Sequence, residues 1–213
     1  MKLRSFKLLL VLSLLITQAW SQPYGNEWIR YNQQYFTINI VERGIYRIDY
    51  NTMLNAGVPL GTFDPRSFQI FAQGIEQPIF VRNEGRGIFL PGDYIEFYAD
   101  RNTGWFDAGL YSAPEDQPNP NYSLINDTLT YFLTWNNLLS NRRITVTHDN
   151  NFVGFTPAPF FWYTSRQDFI SHYYPGETNS YGVTSPDYTR AEGWFDAPLV
   201  LGQSRTHSIS TPN

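Results

Sequence analysis

Three histidines, no cysteine and a scatter of carboxylates are the residues with which this 213-residue chain could do chemistry. Without cysteine there is no thiol nucleophile and no thiolate metal ligand. His148, His172 and His207 lie in different segments with no ligand spacing, so they read as surface histidines. No Gly-x-Ser-x-Gly elbow precedes a helix. Gly85-Arg86-Gly87 lacks the third glycine and the following helix of a phosphate loop. Asp93 and Glu96 flank the start of one strand, and Asp100 follows. Glycoside hydrolysis asks for two carboxylates about 5–10 Å apart. Aspartate at a turn commonly bonds its own backbone, however, and Glu96 falls on an outward face between two tyrosines, so this pair reads as structural. Asp100, Asn102 and Asp107 offer oxygen ligands for calcium from one loop, though not in the EF-hand pattern. No catalytic residue and no cofactor is assigned.

Binding is the better use of these side chains. Tyr94, Glu96 and Tyr98 share one face of a strand, and Trp105, Tyr111 and Tyr122 sit in the loop that follows. Rings beside a carboxylate can stack on and hydrogen-bond a sugar, or anchor a protein partner. Rings this abundant are mostly buried, however, and that favours packing them beneath the loop as a satellite core over sugar binding. The interaction surface expected is Tyr94, Glu96, Tyr98, Trp105 and Tyr111.

The elements that must position them are strands. Aromatic residues make up 17% of the chain, Gly and Pro are frequent, and charges are sparse, which suits short strands joined by turns. Residues 35–41 and 44–50 alternate around Glu42-Arg43-Gly44 and are expected to form a β-hairpin. Asn51 or Thr52 caps a short helix through Met53-Leu54 that Gly57 ends. Residues 67–73 form a strand, Gly74-Ile75-Glu76 a tight turn, and 77–82 a return strand. Pro91-Gly92-Asp93 turns into a strand over 94–99 with Ile95, Phe97 and Ala99 facing the core. Residues 100–127 form a long loop, of a length that is usually functional or interfacial. Strands follow at 129–135 and 143–148. Beyond residue 150 the pattern weakens to aromatic- and proline-rich loop, with one more strand near 206–210.

The first residues speak to compartment. Lys2, Arg4 and Lys7 precede the apolar run 8–16, and Ala19-Trp20-Ser21 puts small residues at the −3 and −1 positions of a cleavage site. This is the pattern of a secretory signal peptide over residues 1–21. The run is shorter than the roughly 20 residues a membrane span needs, and no later segment is apolar enough, so no transmembrane segment is expected. Removing the leader removes both lysines, which excludes Schiff-base chemistry. What remains is dispersed arginine against 19 acidic residues, which argues against nucleic acid as a partner. The expectation is an all-β protein: an antiparallel sandwich or barrel-like domain over 22–137 with one short helix, then an incomplete second β-rich unit over 138–213.

Several runs in order resemble one family: Gly44-Ile45-Tyr46-Arg47 with Tyr50; Asp64-Pro65-Arg66 with Phe68-Gln69-Ile70-Phe71; Gly74 with Glu76 and Pro78; Gly92-Asp93-Tyr94-Ile95-Glu96-Phe97-Tyr98; Asn119-Pro120 with Tyr122-Ser123-Leu124; Asn126-Asp127-Thr128; Tyr131-Phe132-Leu133-Thr134-Trp135; and Glu192-Gly193-Trp194. Across residues 28–194 the chain resembles the N-terminal region of the PorU-like sortases of Bacteroidetes type IX secretion, which are gingipain-like cysteine peptidases. The resemblance implies an exported protein of the periplasm, outer membrane or cell surface. It implies a Cys-His catalytic domain downstream, with cargo or secretion components as further partners. This chain lacks a cysteine, so no catalytic residue carries over, and its end at Thr211-Pro212-Asn213 reads as a truncation or a boundary in a longer polypeptide. The phylum also brings Asp127-Thr128-Leu129 into view as an O-glycosylation pattern at Thr128. The function expected is a non-catalytic module beside the peptidase domain, which positions it or contacts cargo and partners. The alternative is a free-standing carbohydrate-binding β-sandwich.

Overall fold

A computed structural model describes residues 25–138, 140–184 and 188–210. The leader expected over residues 1–21 lies outside the described residues. Among the described residues, nine strands and one short α-helix form an all-β fold. The strands are β1 (Phe36–Ile40), β2 (Gly44–Asp49), β3 (Phe68–Ala72), β4 (Ile75–Gln77), β5 (Ile79–Val81), β6 (Tyr94–Ala99), β7 (Leu129–Trp135), β8 (His172–Tyr174) and β9 (Gly193–Phe195), and the helix α1 is Tyr50–Asn55. They build a four-stranded sheet in the order β1-β7-β3-β4, a three-stranded sheet in the order β2-β6-β5, and a separate β8-β9 pair, all antiparallel.

Period-two patterning explains why these runs are strands and where they face. In β6, Ile95, Phe97 and Ala99 are fully buried while Tyr98 is exposed. Phe68 and Ile70 of β3, Ile40 of β1, and Tyr131 and Leu133 of β7 reach the same core from the other sheet. Phe97 and Tyr131 meet across it with ring centroids 5.6 Å apart. Met53 of α1 and Phe89 close its end. The two sheets therefore share one core in the manner of a sandwich.

Several local expectations need correction. β1 and β2 do not form a hairpin: β1 pairs with β7, and β2 pairs with β6. The short link carries the chain from one sheet to the other. Alternation specifies the buried face of each strand but not its neighbour. The helix is capped by Asp49, whose carboxylate accepts from the Thr52 N–H at 2.7 Å, rather than by Asn51 or Thr52. The turn after β3 lies at Gln73-Gly74, both with positive φ (52° and 77°), so Ile75 and Glu76 already belong to β4. The expected return strand is split at Pro78, which has no N–H for a ladder: β4 stays with β3 and β5 pairs with β6 in the other sheet. Residues 143–148 make only an isolated parallel bridge, Arg143 to Ile79, because nothing continues the ladder past Ile144. No strand forms over the described part of 206–210.

The loop 100–127 contains only two 3-10 turns, Asp107–Leu110 and Pro114–Asp116, yet it is held from outside. The β8-β9 pair and its connection rest on it: the Tyr188 ring lies tilted against Tyr111 with centroids 5.6 Å apart, the Trp194 indole donates to the Leu124 carbonyl, and the Ala191 N–H donates to the Asp116 carbonyl. Among the described residues no helix is long and apolar enough to cross a membrane.

Candidate functional site

The register of the three-stranded sheet decides what its outer face presents. Ile45 lies opposite Tyr98, Arg47 opposite Glu96, and Asp49 opposite Tyr94, while Phe80 of β5 flanks Glu96 from the other side. The Arg47 guanidinium donates twice to Glu96 Oε1, at 2.9 and 2.6 Å, and lies 4.0 Å over the Tyr94 ring. Arg82 approaches the same ring at 5.3 Å. The charge of Glu96 is thus satisfied by Arg47, and the Tyr94 ring is occupied by cations. What remains open is apolar. A groove of about 430 Å³ is walled by Ile45, Phe80, Tyr98, Ile144 and Val146, over Tyr94 and Glu96. Residues 143–148 reach it without completing a strand: Ile144 and Val146 extend the wall beyond β5.

The five expected surface residues do not form one patch. Tyr94, Glu96 and Tyr98 share this face. Trp105 is half-exposed and packs edge-on against Phe106 in the loop. Tyr111 is buried, with its hydroxyl donating to the Glu192 carbonyl. Burial, together with the charges of Glu192 and Asp107, pushes the Tyr111 phenol up to about 12. Tyr111 therefore belongs to the satellite core that was the competing reading of these rings. Glu192 is a hub the sequence did not single out: its carboxylate also accepts from the Tyr173 hydroxyl at 2.6 Å. Only the run Glu192-Gly193-Trp194 marked it.

The candidate calcium ligands are each used locally. Asp100 takes two donors from Arg43. Asn102 caps the Gly104 N–H through its oxygen and donates to the Asn126 carbonyl. Asp107 is buried and accepts from the Leu124 N–H at 2.6 Å. Among the described residues no group of three or more His, Asp or Glu is arranged to hold a metal. Thr128 is half-buried, and its hydroxyl donates to Asp127 at 3.2 Å.

The acid–base candidates resolve similarly. Asp93 is almost fully buried, and its carboxylate accepts from Asn83, Arg86 and the Leu90 N–H. Burial opposes its charge, but these three donors prevail and hold it below the usual carboxylate range. A general acid needs the opposite shift. Ser171, Asp196 and His207 come together near the chain's end, but Ser171 bonds the carboxylate at 3.3 Å and His207 stands 3.7 Å from that same group. A nucleophile must bond the imidazole, so this is an ion cluster around Asp196, shared with Arg205. Comparison of the chain with protein-family models, with curated proteins and with solved structures finds no match in any of the three.

Proposed function

We propose that this chain is a non-catalytic docking module, the N-terminal part of an exported PorU-like, gingipain-like peptidase, which positions the peptidase domain or contacts cargo and secretion partners. The observation that carries the docking reading is the apolar groove on the outer face of the three-stranded sheet, whose polar members are already neutralised among themselves. A catalytic cleft leaves polar groups aimed at a substrate. A protein-docking face instead presents apolar anchors and charges that need no new partner. Tyr98 and Ile45, at 54% and 78% exposure, are the anchors. The type of peptidase and its compartment rest on the ordered runs of the resemblance and on the leader pattern.

Surface plasmon resonance tests the reading, with the mature chain immobilised and a gingipain-like peptidase domain of a PorU-like sortase as analyte. Tyr98→Arg, which puts a charge in the groove, is expected to weaken binding by about tenfold or more. Binding that Tyr98→Arg leaves unchanged removes the groove from the reading, and no binding at all removes the partner. The carbohydrate-binding alternative is less favoured because Arg47 lies over the Tyr94 ring and pairs with Glu96, which leaves Tyr98 as the exposed tyrosine of that face without a free carboxylate beside it. A glycan array on the same chain separates the two, since specific glycan capture would reverse the preference.

A further inference from the structure

Residues 150–165 hold no charged side chain, and six of them are aromatic: Phe152, Phe155, Phe160, Phe161, Trp162 and Tyr163. Each of these rings is exposed, Phe152 at 74% and Trp162 at 91%. Large rings are normally buried, and so dense an exposed group marks a contact surface. The strap is tied down at both ends. Before it, the Ile144 N–H bonds the Ile79 carbonyl at 2.9 Å. After it, Arg166 and Arg101 both pair with Asp168 at 2.7 Å, and Arg166 also reaches the Asn121 carbonyl. It is therefore a tethered arch rather than a trailing end.

We propose that this arch inserts its aromatic side chains into the interfacial layer of a zwitterionic phospholipid surface. Two observations choose that occupant over a protein, and a third chooses the headgroup. First, among the described residues the only backbone–backbone bond within the strap joins the Phe155 N–H to the Phe152 carbonyl. Pro157 and Pro159 bar the middle from helix or ladder. A dry protein interface would strand those backbone groups, whereas the headgroup layer keeps them hydrated while rings enter beneath. Second, the composition is that of an interfacial belt: Trp162 and Tyr163 carry a polar tip on an apolar body, beside four phenylalanines. Third, the charges select the headgroup. The chain is acidic, with a formal charge of −4, and the strap is neutral. An anionic surface would repel the body with nothing in the strap to offset it, while a zwitterionic one does not. The proposal does not depend on the docking groove, which uses different residues.

Flotation of the purified mature chain with extruded phosphatidylcholine vesicles tests it. The chain is expected to float with the vesicles and to shift its tryptophan emission to the blue. Phe161→Ser combined with Trp162→Ser should lower the partition by about tenfold or more, with circular dichroism and thermal midpoint unchanged because both rings touch no core residue. Tyr98→Arg should float like the parent. Added phosphatidylglycerol should weaken binding or leave it unchanged. The proposal is overturned if the chain stays unbound at millimolar lipid, if the double variant floats as well as the parent, or if vesicle binding appears only with the anionic lipid. A chain that ignores vesicles but forms a dimer dissolved by the same substitutions would assign the strap to a second copy instead.

Discussion

Asp93 is a carboxylate of the kind that invites a catalytic role, and its surroundings assign it another. It sits under the turn into β6, where it gathers the Leu90 N–H, the Asn83 amide and the Arg86 guanidinium. Asp93→Ala removes the acceptor these three donors share, two of them on exposed side chains that water can reach, and is expected to cost about 1–3 kcal/mol in urea denaturation. Because its folded pKa is depressed, its contribution is fully present above the unfolded value of about 3.9 and fades as pH falls through the lower folded value. Tyr111 behaves oppositely. Its folded pKa, raised to about 12, means that its contribution is complete below the unfolded value of about 10 and is lost as pH rises through the folded one. Tyr111→Phe should therefore flatten the decline of stability between about pH 10 and 12, measured by thermal melts across that range. Retention of the full decline would move its source to other tyrosines. The sequence offered Tyr111 as a surface ring because its partners, the Glu192 carbonyl 81 positions away and the Tyr188 ring, are distant along the chain. Nothing local to a tyrosine in a loop reports a partner so distant. Tyr94, Glu96 and Tyr98 were placed on one outward face correctly, because strand alternation is a local property.

At the scale of elements, β3, β6 and β7 were legible for the same reason: each is a run of β-formers bounded by turn residues. Strand partners were not. β1 and β2 have the pattern of a hairpin, and only the competition for the core between the two sheets separates them. The candidate face inherits this limit. That Ile45 stands beside Tyr98, and that Arg47 covers Tyr94, follows from the β2-β6 register, which alternation alone does not supply. The docking of the β8-β9 pair on the long loop offers a sharp test of an element contact. A methyl group at Gly193 would stand 2.7 Å from the Pro118 ring, closer than packed carbons approach. Gly193→Ala is expected to lift the pair off the loop and to expose Trp194, seen as a red-shifted, more quenchable tryptophan emission. The core melt should move little, since Gly193 contributes nothing to the main core. An unchanged emission spectrum would mean that the loop yields instead of the pair.

For the whole molecule, the question is which parts stand alone. Among the described residues, every member of the main core, and every partly buried residue packed against it, lies between Phe36 and Trp135. The remaining contribution from later residues is a clasp. Asn141 donates to the Arg66 carbonyl at 2.9 Å, Arg143 pairs with Glu84 at 2.7 Å and donates to the Arg66 carbonyl, and Ile144 joins β5. Among the described residues, the hydrogen bonds from beyond Val146 to the earlier chain run to the loop 100–127 rather than to the sheets. Shortening the chain to residues 22–146 should therefore leave a cooperative unfolding transition within a few degrees of that of residues 22–213, while the loop, deprived of Tyr188, Glu192 and Trp194, becomes the first site of limited proteolysis. Both readouts are needed, because they bear on different claims. Loss of the cooperative transition would show that the two-sheet body depends on the later residues, against the confinement of its core. A loop that stays protected would show that it is ordered by its own turns, and that the aromatic contacts with the β8-β9 pair follow its shape instead of creating it.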